Sequence, residues 1–266
     1  MKTGVLIILT GLLLFGQLPA QLAEGEYWYS GTARLLPQGR KVSGLFEPLR
    51  YGRSERLEWS LNPVLALVIP NMAVKLARNE LGGWQRAWRI SGHYPTLLLR
   101  TLTREGTAGL LAPDPTIPQV PHLLFVRGEV LLSRRMGTGT LVTLKGGLAL
   151  ALKAGEFDAR HTIDLPVIYP RMAAYRNGYQ FNLGIDLLQE LPVIKRLWVD
   201  ADLFITPGFD RPLAFEHKGL TVLSRKGRLG LLVGYKLTWG DYPFGAQWHL
   251  LPLVDLQWTR QRKGPE

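Results

Sequence analysis

The sequence predicts an all-β protein: an antiparallel transmembrane β-barrel of about twelve strands behind an N-terminal signal peptide. Three observations carry this expectation. Apolar and polar residues alternate with a period of two along most of the chain. Many of the alternating runs reach the ~9–11 residues that a tilted strand needs to cross a bilayer. A short apolar leader stands in front of them.

The leader sets the expected compartment. Lys2 is the only charge before Glu24, Val5 to Phe15 is apolar apart from Thr10 and Gly11, and Leu18-Pro19-Ala20 ends the stretch on a small residue. A positive start, a short greasy core and a small-residue exit describe a secretory signal peptide. The run falls short of the ~20 residues of a membrane-spanning helix. The expected division is a signal peptide over 1–20, with cleavage as late as Ala23 as the variant. An N-terminal segment 21–39 follows, then a barrel over 40–259 and a tail 260–266. Cleavage after Ala20 removes Lys2 and takes the net charge from +11 to +10. The absence of cysteine excludes a lipid-anchored lipoprotein and disulfide staples. After the leader no stretch approaches 18 uninterrupted apolar residues, since Asn62, Pro63, Pro70 and Asn71 break the greasiest one. Helical spans are not expected in the mature chain.

The strands follow in order. Leu57, Trp59 and Leu61 share one face opposite Glu58 and Ser60, and Met72, Val74 and Leu76 oppose Ala73, Lys75 and Ala77. Trp84 to Tyr94 alternates, with Arg86 discordant on its apolar side. In Thr140 to Lys153, Val142, Leu144, Leu148, Leu150 and Leu152 oppose Thr143, Lys145 and Ala149. Tyr179 to Leu187, Leu197 to Ile205, Leu229 to Trp239 and Trp248 to Trp258 repeat the scheme. Strands place residues i and i+2 on one face, so each segment is greasy on one side only. Gly82-Gly83, Gly137-Thr138-Gly139, Arg176-Asn177-Gly178 and Arg225-Lys226-Gly227 read as tight turns, and Gly240 to Gly245 as a slightly longer loop. The alternation slips near Lys218-Gly219, as a bulge would make it do. His161 to Tyr175, with two prolines, is the weakest strand. The long connection 95–121, rich in proline, has no clean alternation and room for a short helix from Thr96.

A secreted soluble β-sandwich alternates as well. Two features favour the barrel. Aromatics such as Trp84, Tyr94, Tyr179, Trp239, Trp248 and Trp258 sit near strand ends, as interfacial girdles do. The polar face is rich in Gly and Ala between its charges, as a crowded interior requires.

The stretches TARLLPQGR, GLFEPLRYGRSERLEWS, IPNMAVKLAR and GHYP, within Thr32 to Pro95, resemble the N-terminal strands of uncharacterised predicted outer-membrane barrel proteins of Gram-negative bacteria. The resemblance covers about a quarter of the chain and brings no catalytic motif. It implies location in a bacterial outer membrane and a porin-like barrel fold, not an activity; with that address and a mature charge of +10, the expected partners are outer-membrane lipid, lipopolysaccharide and the barrel-assembly machinery. The chain departs from common barrels of that membrane in lacking a terminal aromatic: Trp258 is the nearest substitute, and eight residues follow it.

Site candidates come from the polar face. Its bases are Arg56, Lys75, Arg89, Arg127, Lys145, Lys153, Arg196, Arg228 and Lys236; its acids are Glu58, Glu129, Asp186, Asp200, Asp202 and Asp255. Charges on this face avoid lipid. The plain expectation is that they pair across the interior, leaving basic residues over; the sharper one is a path for anions. No metal or other cofactor is expected, because the five histidines form no close ligand pair. Nucleic acid is a poor partner for a chain that leaves the cytoplasm. An enzyme is the weaker reading: there is no G-x-S-x-G, and Ser91-Gly92-His93 and His161 to Asp164 are the only local Ser/Thr–His combinations. The function classes that remain are a narrow channel or binding barrel for anionic solutes, a structural or assembly protein, and a membrane-embedded lipid hydrolase.

Overall fold

The computed structural model describes residues 29–102, 119–137, 139–158, 174–189, 191, 196–208, 211–226, 229–242 and 245–261. The strands are β1 (Arg40–Ser43), β2 (Leu49–Ser54), β3 (Leu57–Leu61), β4 (Asn71–Leu81), β5 (Trp84–His93), β6 (His122–Met136), β7 (Thr140–Ala154), β8 (Tyr179–Gln189), β9 (Leu197–Ile205), β10 (Leu213–Lys226), β11 (Leu229–Tyr242) and β12 (Gly245–Gln261). Each pairs antiparallel with its sequence neighbour, and β12 returns to β1 to close a single twelve-stranded barrel. Among the described residues closure leaves no second sheet, so the sandwich reading falls. Three short helices interrupt the described connections: α1 (Pro63–Ala66), α2 (Thr96–Leu102) and α3 (Ala174–Asn177).

The two ends of the barrel differ. The chain enters β1 and leaves β12 at one of them, the turn end, where the strands are joined by 55–56, 82–83, 137–139, 190–196 and 227–228. The opposite, loop end carries 44–48, 62–70, 94–121, 155–178, 206–212 and 243–244. Gly82 and Gly83 at φ 57° and 77° make a two-residue turn, because positive angles at both corners match the twist of the flanking strands.

Burial follows the period of two, with the greasy side outward. On β7 Leu141, Thr143, Lys145, Ala149 and Ala151 are buried, while Leu144, Leu148, Leu150 and Leu152 are exposed. On β8 Gln180, Asn182 and Asp186 are buried, and Tyr179, Phe181, Leu183 and Ile185 are exposed. On β12 Asp255 and Gln257 lie inside, and Trp248, Leu250, Val254, Leu256 and Trp258 outside.

Segment 29–36, ahead of β1, does not hang outside. It lies in the barrel, where Tyr29, Thr32, Ala33 and Leu36 are buried. The Tyr29 ring stands edge-on to Trp198 at 3.6 Å and joins an apolar cluster with Leu141, Leu188, Leu220 and Leu232. Ala33 packs against Ala87 and Leu131, and its N–H donates to Ser133 Oγ at 2.8 Å. At the loop end a second apolar cluster closes the interior: Leu65 and Ile69 around α1, Leu99 of α2, Ala174 of α3, Val120, Leu123 and Phe125.

Several local expectations change. Asn177-Gly178 is not a hairpin turn: Asn177 ends α3, the Gly178 N–H donates to Ala174 O, and its φ of 87° makes the left-handed stop of a helix. Helix caps and hairpin corners need the same positive φ, so the dipeptide fits both. The slip is not at Lys218-Gly219 but between Val222 and Ser224. His217, Gly219 and Thr221 share the outward row of β10, and their lack of grease imitates a slip. β11 runs on to Tyr242, which shortens the Gly240 to Gly245 loop. The final strand runs two residues past Thr259. Most of the weak strand His161 to Tyr175 lies outside the described residues, and its end belongs to α3.

Candidate functional site

The middle of the interior is a layer of ion pairs. Arg50 of β2 holds Glu58 of β3 in a two-pronged contact, Nε to Oε1 and Nη2 to Oε2, both 2.9 Å. Lys75 of β4 approaches the same carboxylate at 3.5 Å. These groups also hold segment 29–36. Arg50 Nη1 donates to Tyr29 O, Lys75 Nζ donates to Ser30 O, and Glu58 Oε2 accepts from the Leu36 N–H at 2.7 Å. Fork-shaped guanidinium–carboxylate contacts are the stronger class of charged hydrogen bond, and here they set where the segment lies.

Next along the wall, Arg89 Nε donates to Glu129 Oε2 at 2.7 Å, and Asn182 Nδ2 donates to the other carboxylate oxygen at 3.1 Å. Lys145 lies between Asp186 and Asp202 at 2.6 and 2.7 Å. Room for this trio comes from Gly184, where a Cβ would collide with the Asp202 carboxylate and the Lys145 stem. Lys218 reaches Glu47 at 3.0 Å and Asp200 at 3.8 Å while its ammonium sits 3.9 Å from the Trp198 ring centre. Lys236 pairs with Glu216 at 3.1 Å. Burial, helped by the negative charges of Asp186 and Asp200, pushes the Tyr29 phenol well above its usual range, so it stays protonated beside them.

Lys75, Arg89, Lys145, Asp186, Asp200, Asp202 and Lys236 therefore all belong to this layer. Arg127 also faces inward, between the rings of Phe125 and Phe204 at 5.5 and 5.3 Å, with Gln180 at 3.4 Å. Glu58 and Glu129 are in the layer as acids. Asp255 instead accepts the Leu45 and Phe46 N–H groups of the 44–48 connection. Lys153 has the inward phase, but its side chain is exposed. Arg196 stands just before β9, half-buried, its carbonyl accepting from Thr221 Oγ1. Arg228 lies outside the described residues. Arg56 is a correction. It sits in the turn between β2 and β3, where its carbonyl accepts from the Ala77 N–H of β4, and its side chain is exposed beside Leu76, Arg78, Arg86 and Trp88 on the outer surface.

Sequence reasoning missed Arg50, Glu47, Glu216, Lys218 and segment 29–36. Glu216 and Lys218 share a phase with Ala214 and Leu220, so an unbroken reading of β10 would have found them. β2 is too short to show a period, and Glu47 is on no strand. Ser91 and His93 share the inward phase of β5, and the His93 ring lies edge-on to Phe125. His161 and Asp164 lie outside the described residues.

The fold and this layer define a closed twelve-stranded antiparallel barrel with polar, ion-paired contents and an apolar exterior. Compared with protein-family models, curated proteins and solved structures, the chain finds no match.

Proposed function

We propose that the chain is an exported, integral β-barrel of a bacterial outer membrane, with 1–20 as its signal peptide and a structural role in which the interior is packed rather than open. One observation carries the reading: over a closed barrel, apolar side chains face out and paired charges face in. An exposed greasy band of this extent is an unfavourable exterior in water and a suitable one in lipid. The aromatic side chains Trp59, Trp88, Tyr179, Trp248 and Trp258, all exposed on the outer face, suit the bilayer boundary. The entry into β1, the exit from β12 and most short connections share the turn end, and short turns mark the periplasmic side in barrels of this kind.

The anion path has less behind it. Most inward bases are matched by carboxylates, segment 29–36 occupies the turn-end half, and the apolar cluster with residues of α1, α2 and α3 packs at the loop end. A channel would need 29–36 to leave. Expressed with its leader, the protein should fractionate with outer membranes and migrate faster unheated than heated on a gel. Cysteines placed at Lys145 and Arg89 should be shielded from lipid-phase probes, and those at Val142 and Leu150 should react. In planar bilayers the wild type should carry no steady current. An open, unselective current would overturn the packed interior, and a purely soluble periplasmic monomer would overturn the membrane reading.

A further inference from the structure

The outer face is apolar up to a sharp boundary at the turn end of β4, β5 and β6. Outward residues run Val74, Leu76, then Arg78 on β4, and Ile90, Trp88, then Arg86 on β5. On β6 they run Val130, Leu132, then Arg134. Arg78 and Arg86 are direct cross-strand partners. Like charges facing each other across a ladder destabilise it unless something neutralises them. Among the described residues no carboxylate pairs with Arg56, Arg78 or Arg86, and the side-chain contacts of the latter two are with a ring and a carbonyl. The Arg78 guanidinium lies 4.2 Å from the Trp88 ring centre, and Arg86 Nε donates to Asn79 O at 2.8 Å. With Leu76 and Ala77 these residues line a surface depression of about 550 Å³.

We propose that this depression is a binding site for the phosphate of an anionic glycerophospholipid in the leaflet at the turn end. The inference rests on the membrane reading above. Guanidinium forks match phosphate oxygens in shape and charge. Trp88 and Leu76 continue the apolar wall along which acyl chains would lie, while the arginines stand one step beyond it, at headgroup height. Lys75, Arg89, Lys145, Lys218 and Lys236 inside the barrel each have a carboxylate within the chain; among the described residues the rim arginines have none, and the phosphate takes its place. The leaflet follows from the terminus-bearing end, which makes the ligand a glycerophospholipid and not lipopolysaccharide.

The test uses the full mature chain, refolded in detergent and released into native mass spectrometry with added phosphatidylglycerol, phosphatidylcholine or lipopolysaccharide. The unheated gel shift and insertion into phosphatidylcholine vesicles are recorded on the same samples. Phosphatidylglycerol adducts should survive on the wild type and fall about tenfold in an R78Q/R86Q double variant. R53Q, on the same rim but outside the depression, should keep them. Equal adducts in wild type and double variant, with both inserted and heat-modifiable, would overturn the site while leaving the barrel in its membrane. Preference for lipopolysaccharide would overturn the leaflet and hence the ligand. Failure of the wild type to insert would overturn the membrane reading and the site with it.

Discussion

Lys145 and Arg86 are both cations on long strands of one barrel, and their surroundings are opposite. Lys145 is buried inside with two carboxylates within 2.7 Å. Arg86 is on the outside, at the edge of the apolar band, opposite another arginine. The difference shows how depth decides what a charge requires. A cation taken out of water needs its counter-charge within the chain, since the loss of solvation is several kcal/mol per ion. A cation at a boundary keeps water or an external anion within reach and tolerates a like neighbour.

The interior side of this comparison breaks most severely at Glu58. Glu58→Leu would strand both Arg50 and Lys75 and leave the Leu36 N–H without its acceptor. The expected loss is about 3–5 kcal/mol in urea titrations followed by the unheated gel shift. The outer side breaks next, at Leu148, which is exposed near the middle of β7. Leu148→Arg puts a guanidinium where no headgroup reaches, and should cost about 2–4 kcal/mol in bilayers. In water the same change would be nearly silent, so equal stability in bilayers would contradict a lipid-facing β7.

Gly31→Val sharpens the comparison by attacking what the interior charges hold. A Cβ there would collide with the Asp186 carboxylate and the Tyr29 hydroxyl. Overpacking of this kind costs about 1–3 kcal/mol. Segment 29–36 should be displaced, and trypsin should cut after Arg34 in the folded variant but not in the wild type. The smallest effect belongs to the rim: Arg86→Gln should change folding stability by no more than about 0.5 kcal/mol, because no ion pair within the chain is lost. A loss as large as that of Glu58→Leu would mean that the two environments are alike.

Much of the fold was legible because its signal is local. Tyr179 to Leu187 alternates without interruption and Val142 to Leu152 with Gly146 as its one gap, and each strand reports its own two faces. The inward assignment of Lys75, Lys145, Asp186 and Asp200 follows from phase alone. Arg56 has the right phase and the wrong place, since it lies in the turn between β2 and β3, where the alternation of a strand no longer fixes which face a side chain takes. Arg50 and Glu47 were hidden because four- to six-residue strands and a connection carry too few positions to show a period. Segment 29–36 has no alternation, and nothing in its composition tells a chain inside a barrel from one outside.

The sequence by itself determined which side chains share a face, because a period of two is a property of neighbouring residues and survives any register. Only the tertiary structure decided which charges meet. Lys145 finds Asp202 through the β7–β8–β9 register, and Lys218 finds Glu47 across 171 positions of sequence because β12 closes on β1. The curvature of that closure brings the 44–48 connection near enough to β10 for an ion pair and leaves an interior in which segment 29–36 lies. Packing and charge matching among distant residues set both outcomes, and no single strand contains either.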